Sequence, residues 1–206
     1  MKYETIKVSE DDIIRLPQPE SYSDCFELID SDLYRTKGKS RSKLRLFFRL
    51  FIHPYALLPW FRLCQHKGFF YPVCRIMYSI CKNRHKIDMK VRTRVGYGLN
   101  LGHNMCMVIN PGTIIGNNCD LSQFLNIGTN HGTPAILGNE VYIGPGVCIV
   151  EDARIGSRST IGAGAVVRGH IAPDSTAVGV PARIVNKTPK PYVRNRWPLP
   201  PQAQGN

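Results

Sequence analysis

The chain has 206 residues, 43% of them hydrophobic and 20% charged, a length and balance that fit one good-sized domain and exclude both a disordered polymer and a multi-span membrane protein. Its net charge of +12 is placed unevenly: −5 over residues 1–35, +14 over 36–94, −2 over 95–180 and +5 beyond. Positive charge confined to one block and a tail argues against nucleic acid as a partner.

The opening segment MKYETIKVSEDD has no apolar core of a signal peptide, so a cytoplasmic protein is expected. The seven cysteines are odd in number and form no CxxC pair, which fits reduced thiols rather than a zinc or redox motif. Residues 1–35 are acidic and mixed, with a short helix expected around Asp24 to Tyr34. They read equally as a leader lying on a neighbouring subunit or as a disordered one.

Residues 36–86 begin with the basic run TKGKSRSK and become apolar in LRLFFRLFIHPYALLPWFRLCQHKGFFYPVCRIMYSIC. The longest stretch without Lys or Arg inside Leu44–Arg62 is twelve residues, Leu50 to Phe61, against the roughly 20 that a membrane span needs. Aromatic and aliphatic residues interleaved with Arg45, Arg49, Arg62, Lys67 and Arg75 resemble helices that lie in an anionic membrane interface. The same pattern suits helices packed in an oligomer with their arginines solvated. Both readings stand at this point.

From residue 89 a period of six takes over: MKVRTR, VGYGLN, LGHNMC, two extra residues, INPGTI, IGNNCD, LSQFLN, IGTNHG, four extra residues, then LGNEVY, IGPGVC, IVEDAR, IGSRST, IGAGAV and VRGHIA. All thirteen leading positions are apolar and eight are followed by glycine. A period of six does not fit an α-helix of 3.6 residues per turn. It fits a β-helix, in which each unit is a short strand plus a corner, three units close one coil, and the leaders stack inward. Glycine relieves the corner, where a side chain would clash or φ is unusual. The segments are therefore 1–86, an acidic leader and basic aromatic helical region; 87–186, the β-helix; and 187–206, a Pro-rich basic tail.

These repeats, the segment KIDMKVRTRVGYGLNLGHNMCMVINPGTIIGNNCDLSQFLNIGT and the closing AVGVPARIV resemble the hexapeptide-repeat acyltransferases, and among them the serine acetyltransferase-like branch. The resemblance covers roughly residues 85–186. It implies a left-handed parallel β-helix, a homotrimer, acetyl-CoA as donor in the groove between neighbouring prisms, no metal, and direct acetyl transfer to a hydroxyl. Position by position it puts the catalytic histidine at His103, the aspartate that orients it at Asp88, fifteen residues earlier, and the second active-site histidine at His131. It puts the coenzyme groove at Gly128, Thr129, Gly144, Pro145, Gly162 and Ala163, with Arg183 and Lys187 as the nearest cations for the nucleotide phosphates. The aspartate that precedes the catalytic histidine in serine enzymes is Gly102 here, and the arginine before the second histidine is Asn130. With those charges gone, and with a short N-terminal region and the ending PPQAQGN, the expected acceptor is a sugar hydroxyl of a bacterial surface polysaccharide. Asn100, Asn104, Gln123 and Asn130 are then the acceptor contacts, and the basic block faces the membrane where lipid-linked sugars reside. Serine O-acetylation is the alternative, and a non-catalytic β-helix scaffold a further one.

The residue chemistry fits that assignment. A hydroxyl attacks a thioester only as its proton leaves, and imidazole, titrating near neutrality, is a fitting general base. A carboxylate on its other nitrogen would fix the tautomer and stabilise the imidazolium. A second imidazole could hydrogen-bond the acceptor or the oxyanion. A metal site of three histidines would need two close in sequence, and His103, His131 and His170 have no such pair.

Overall fold

A computed structural model describes residues 1–187 and 192–199. The chain opens with a hairpin, β1 (Lys2–Lys7) and β2 (Ile13–Gln18), followed by four helices: α1 (Tyr22–Lys37), α2 (Lys43–Ile52), α3 (Leu57–Leu63) and α4 (Tyr71–His85). The fifteen parallel strands that follow wind into three faces. Face 1 contains β3 (Ile87–Met89), β6 (Met107–Ile109), β9 (Asn126–Ile127), β12 (Cys148–Ile149) and β15 (Val166–Val167). Face 2 contains β4 (Arg94–Val95), β7 (Ile114–Ile115), β10 (Ile136–Leu137), β13 (Arg154–Ile155) and β16 (His170–Ile171). Face 3 contains β5 (Asn100–Leu101), β8 (Asp120–Leu121), β11 (Tyr142–Ile143), β14 (Thr160–Ile161) and β17 (Thr176–Val178), and β18 (Arg183–Asn186) turns back antiparallel on β17 to close the stack.

All thirteen repeat leaders lie inside the prism, none more than 8% exposed. A second buried column, which the period of six does not single out, runs two positions before each leader and includes Leu99, Cys119, Leu125, Val141 and Val147. Six of the eight glycines after the leaders, all but Gly102 and Gly128, answer a packing demand rather than a dihedral one. A Cβ on Gly116 would sit 2.2 Å from the carbonyl oxygen of Gly138 in the next coil, and Gly116 keeps a negative φ. The left-handed conformation falls two residues later, at Asn118, Glu140 and Arg158 among others. The last face 1–face 2 corner is shorter than the repeat foretells: Val167 reaches Ile171 through two residues, Arg168 and Gly169, before β16 begins.

Residues 1–35 are neither a loose leader nor, in this chain, an arm reaching elsewhere. Alternation of apolar residues makes a hairpin whose Ile14 and Leu16 pack on Ile114 of the chain's own β-helix. Asp12 at its turn accepts hydrogen bonds from Ser157 N–H (2.6 Å) and Ser157 Oγ (2.7 Å). Helix α1 starts at an N-cap, where Ser21 accepts from Asp24 N–H, and stops at Gly38 in a left-handed C-cap.

Two buried arginines fasten the helices to the first coil. Arg62 forms a two-pronged ion pair with Asp32 (2.8 and 2.9 Å) and donates to the Val95 and Gly96 carbonyls. Arg35 pairs with both oxygens of Asp120 and donates to the Gly98 carbonyl. The open end of a coil stack exposes unpaired backbone groups, and these guanidinium groups satisfy several of them. From the other terminus, Trp197 exchanges hydrogen bonds with Asn118 and packs on Tyr34 and Tyr97. Residues 200–206, the PPQAQGN ending, lie outside the described residues.

Candidate active site

The predicted site residues fall on two different corners of the prism. His103 lies on the corner from face 3 to face 1, between β5 and β6. Later coils place Gln123, then Gly144 and Pro145, then Gly162 and Ala163 on the same corner. The corner is knitted along its length, since Gly146 N–H donates to the Gln123 carbonyl and Gly164 N–H to the Pro145 carbonyl. Gly128, Thr129, Asn130 and His131 lie instead on the corner from face 1 to face 2, between β9 and β10. One chain therefore does not bring His103 and His131 together.

The His103 corner is distorted by its two extra residues. Three non-glycine residues within four positions have positive φ: His103 (57°), Asn104 (49°) and Cys106 (52°). Such backbone is costly and persists where the surroundings enforce it. The Cys106 N–H donates to the carbonyl of His85 at the end of α4, which pins the bulge, and the His103 side chain stands exposed. Beside it, Asn100, Leu101 and Asn104 form one wall of a cavity of about 170 Å³. Leu33 and Thr36 of α1, with Leu57 and Leu58 of α3, form the other. Asn104 Oδ1 is buried with no hydrogen-bond partner among the described residues, while Asn100 hydrogen-bonds Asp120, itself held by Arg35.

Asp88 is on face 1, where it pairs in register with Val108. No hydrogen bond joins it to His103 among the described residues. Its Oδ1 accepts instead from Lys90 Nζ (2.9 Å) and Lys82 Nζ (3.1 Å), and these hydrogen bonds hold the carboxyl below its ordinary range. The triad-like contact expected from the sequence is thus absent in the single chain: the basic residues around the lone acid capture one of its oxygens.

The His131 loop carries the four-residue insertion, and residues that the repeat alone did not single out hold it. Glu151 Oε1 accepts from the backbone N–H of both Asn130 and His131 (3.1 Å each). Asp152 accepts from the Thr133 hydroxyl (2.7 Å) and N–H (2.8 Å), which lower its pKa, and Arg154 donates to the Thr133 hydroxyl and the Pro134 carbonyl. The available signal was the two consecutive acids of IVEDAR, one coil beyond the insertion.

The glycines on these corners differ, even within one corner, in why they are glycine. A Cβ on Gly144 would lie 2.8 Å from Ala163 N, and one on Gly162 would lie 2.7 Å from Val178 Cγ1, so the chain's own packing excludes side chains there. At Gly102 and Gly128 the nearest atoms would be 3.6 and 3.7 Å away, so the chain itself has room for a side chain. Arg183 and Lys187 are exposed at and just beyond β18, after the last coil. The thiols of Cys25, Cys64 and Cys119 are buried, which pushes them up to about 12 and leaves them unreactive at neutral pH. No group of three His, Cys, Asp or Glu is placed to hold a metal among the described residues.

A parallel prism with stacked apolar leaders, small corner residues and histidines on two of its corners defines a hexapeptide-repeat transferase. The family profile "Bacterial transferase hexapeptide (six repeats)" matches residues 134–169. The serine acetyltransferase of Helicobacter pylori (strain J99) is 31% identical over 129 residues, which cover 59% of this chain and 74% of that protein. A structure of soybean serine acetyltransferase complexed with serine matches with 30% identity and a TM-score of 0.51, over 56% of this chain and 49% of that one. The Neisseria gonorrhoeae serine acetyltransferase matches with 27% identity and a TM-score of 0.59, over 82% and 67%. The chain belongs to the hexapeptide-repeat acyltransferases, in their serine acetyltransferase-like branch, whose prism is a left-handed β-helix. It spans only 34% and 48% of two other curated relatives, the mitochondrial serine acetyltransferase 3 of Arabidopsis thaliana and the serine acetyltransferase of Synechococcus elongatus.

These relatives correct the acceptor. The curated proteins and solved structures that this chain resembles are named for serine, which overturns the surface-polysaccharide sugar preferred from Gly102 and Asn130. Two missing charges were too narrow a basis for changing the acceptor class. An aspartate or arginine absent at one position leaves its role open to other polar groups of the same pocket.

Proposed function

We propose that the protein is an acetyl-CoA-dependent serine O-acetyltransferase that works as a homotrimer. The observation that carries this reading is the division of the site residues between two corners. His103 heads one column of small residues, His131 sits on the next corner, and a neighbouring prism laid alongside would set one against the other. Threefold packing supplies three such grooves. Acetyl-CoA would lie along each, its pantetheine arm beside Gly144, Pro145, Gly162 and Ala163 of one chain and Gly128 and Thr129 of the next. Arg183 and Lys187 would meet its phosphates. Gly102 and Gly128, where the chain leaves room for a Cβ, fit a groove kept open for something outside the chain.

Serine would enter the cavity between α1, α3 and the first coil. At about 170 Å³ it is smaller than the roughly 300–1,000 Å³ of sites for drug-sized ligands and suits a small amino acid. Asn104 Oδ1, buried and unpartnered, would accept from the serine ammonium in place of the aspartate that Gly102 lacks. Asn100 and Gln123, with the neighbouring chain's Asn130, would supply further polar contacts around the acceptor. His103 takes the hydroxyl proton as the serine oxygen attacks the thioester carbonyl. The C–S bond then breaks, and the protonated imidazole returns the proton to the CoA thiolate. Asp88, whose second oxygen carries no hydrogen bond among the described residues, would receive the other imidazole N–H if the two side chains turned towards each other. His131 of the neighbouring chain would stabilise the oxyanion.

The test is CoA release by the purified protein with serine against acetyl-CoA alone, together with its mass by sedimentation. Serine-dependent turnover by a trimer is expected. A fully active monomer, or no turnover with serine, would reject the reading.

A further inference from the structure

The N-terminal helices present their apolar stripes outward. On α2, Leu44, Phe47, Phe48, Phe51 and Ile52 follow one another at i, i+3, i+4, i+7 and i+8, the spacing of a helix face that normally seeks a core. All five are exposed, Ile52 at 71%, while only Leu46 and Leu50 on the opposite side are buried. Helix α4 repeats the arrangement, with Val73, Ile76 and Ile80 exposed against buried Cys74, Tyr78 and Cys81. Phe69, just before α4, is 90% exposed, and Phe70 beside it is also open.

The two helices share a side of the molecule. Both begin near the first turn of α1, where Lys43 Nζ donates to Ser23 Oγ and Phe70 packs on Tyr22. They end together, with Arg84 over the Tyr55 ring and His85 Nε2 hydrogen-bonded to the Tyr55 carbonyl. Lys43, Arg45, Lys67, Arg75 and Arg84 rim the stripes and are exposed. Residues 36–94 hold fifteen basic side chains and one acid, Asp88, which Lys82 and Lys90 already occupy.

We propose that this face seats the protein on an anionic lipid bilayer, with the phenylalanines and aliphatic tips in the headgroup boundary and the arginines and lysines on lipid phosphates. The charge decides between occupants. A second copy laid on the same patch would bring two strongly positive surfaces together, whereas anionic lipid answers the apolar stripe and the basic rim at once. No helix among the described residues is long and apolar enough to cross a membrane, so the contact is peripheral. The proposal stands independently of the acceptor.

The experiment is co-sedimentation of the full chain with phosphatidylcholine vesicles and with vesicles of equal parts phosphatidylcholine and phosphatidylglycerol. Binding at least roughly tenfold stronger to the anionic vesicles, and falling as salt is raised, is expected, since each basic group near such a surface adds about fivefold. Phe48→Ser with Phe51→Ser, and separately Arg45→Glu with Arg75→Glu, should each reduce that binding about tenfold or more while the melting temperature and the sedimentation coefficient stay unchanged. Equal, weak binding to both vesicle types would overturn the proposal. So would a smaller assembly for the Phe48→Ser, Phe51→Ser variant, which would assign the face to a second copy.

Discussion

The two corners that carry the histidines solve opposite problems. The His103 corner gains two residues and is held tightly, by consecutive left-handed residues and a backbone bond to α4. The His131 corner gains four and is held from the next coil by carboxylates that accept its N–H groups. A proton-transferring imidazole must be fixed to within a few tenths of an ångström, and rigid backbone does this. In the proposed groove the His131 loop would meet a second chain and would need to be shaped but still adjustable, which side-chain acceptors at its base allow.

That contrast is open to attack in order of expected effect. His103→Ala should lower kcat by about 10²–10⁴ with acetyl-CoA affinity little changed, measured by CoA release and by a binding titration. Near-normal turnover would remove His103 as the base. Mixing inactive His103→Ala and His131→Ala chains through unfolding and refolding should restore part of the activity, because hetero-trimers would contain some grooves with both histidines intact. Failure to complement, with trimers re-formed, would place both groups in one chain's site. Asp88→Asn should cost about tenfold in kcat, less than loss of the base, since it orients and does not transfer the proton. Gly102 has room for a Cβ, and Gly102→Asp adds a charged partner for an ammonium, so KM for serine should fall by roughly tenfold. An unchanged KM would mean that the ammonium lies elsewhere than beside residues 102–104. Glu151→Gln should cost the least, a few-fold in kcat/KM with the fold intact, because a neutral amide oxygen can still accept both N–H bonds, each made weaker by loss of the charge.

The β-helix was legible because its cause is repeated: each leader meets the same interior, and thirteen instances outweigh two insertions. The corners were less so. Which histidine stands on which corner depends on counting coils through both insertions, and the Asp88 environment depends on Lys82 and Lys90, which carry no pattern. The hairpin of residues 2–18 was missed because its apolar residues alternate over only a few positions amid acids, and its partner, Ile114, is about 100 residues away in sequence. The outward stripe of α2 was visible as a stripe, but sequence alone gives a periodic face without saying which way it points. Arg62 read as one more charge in the basic block and Arg35 as the last residue of the acidic segment, although both anchor the helices to the β-helix.

The hydrogen bonds of Arg35 reach across almost the whole chain. Its Nε donates to the Arg194 carbonyl and its own carbonyl accepts from Asn195 Nδ2. During synthesis, α1 emerges from the ribosome well before either partner exists. The coils, each needing only its predecessor, can close one after another as they appear, at the pace of translation. Helix α1 and the second coil, by contrast, must keep Arg35, Tyr34 and Asn118 without these partners until residues 194–197 have been made and returned to them. The stretch that forms earliest is thus completed last, by a contact made only when residues 194–197 return to it.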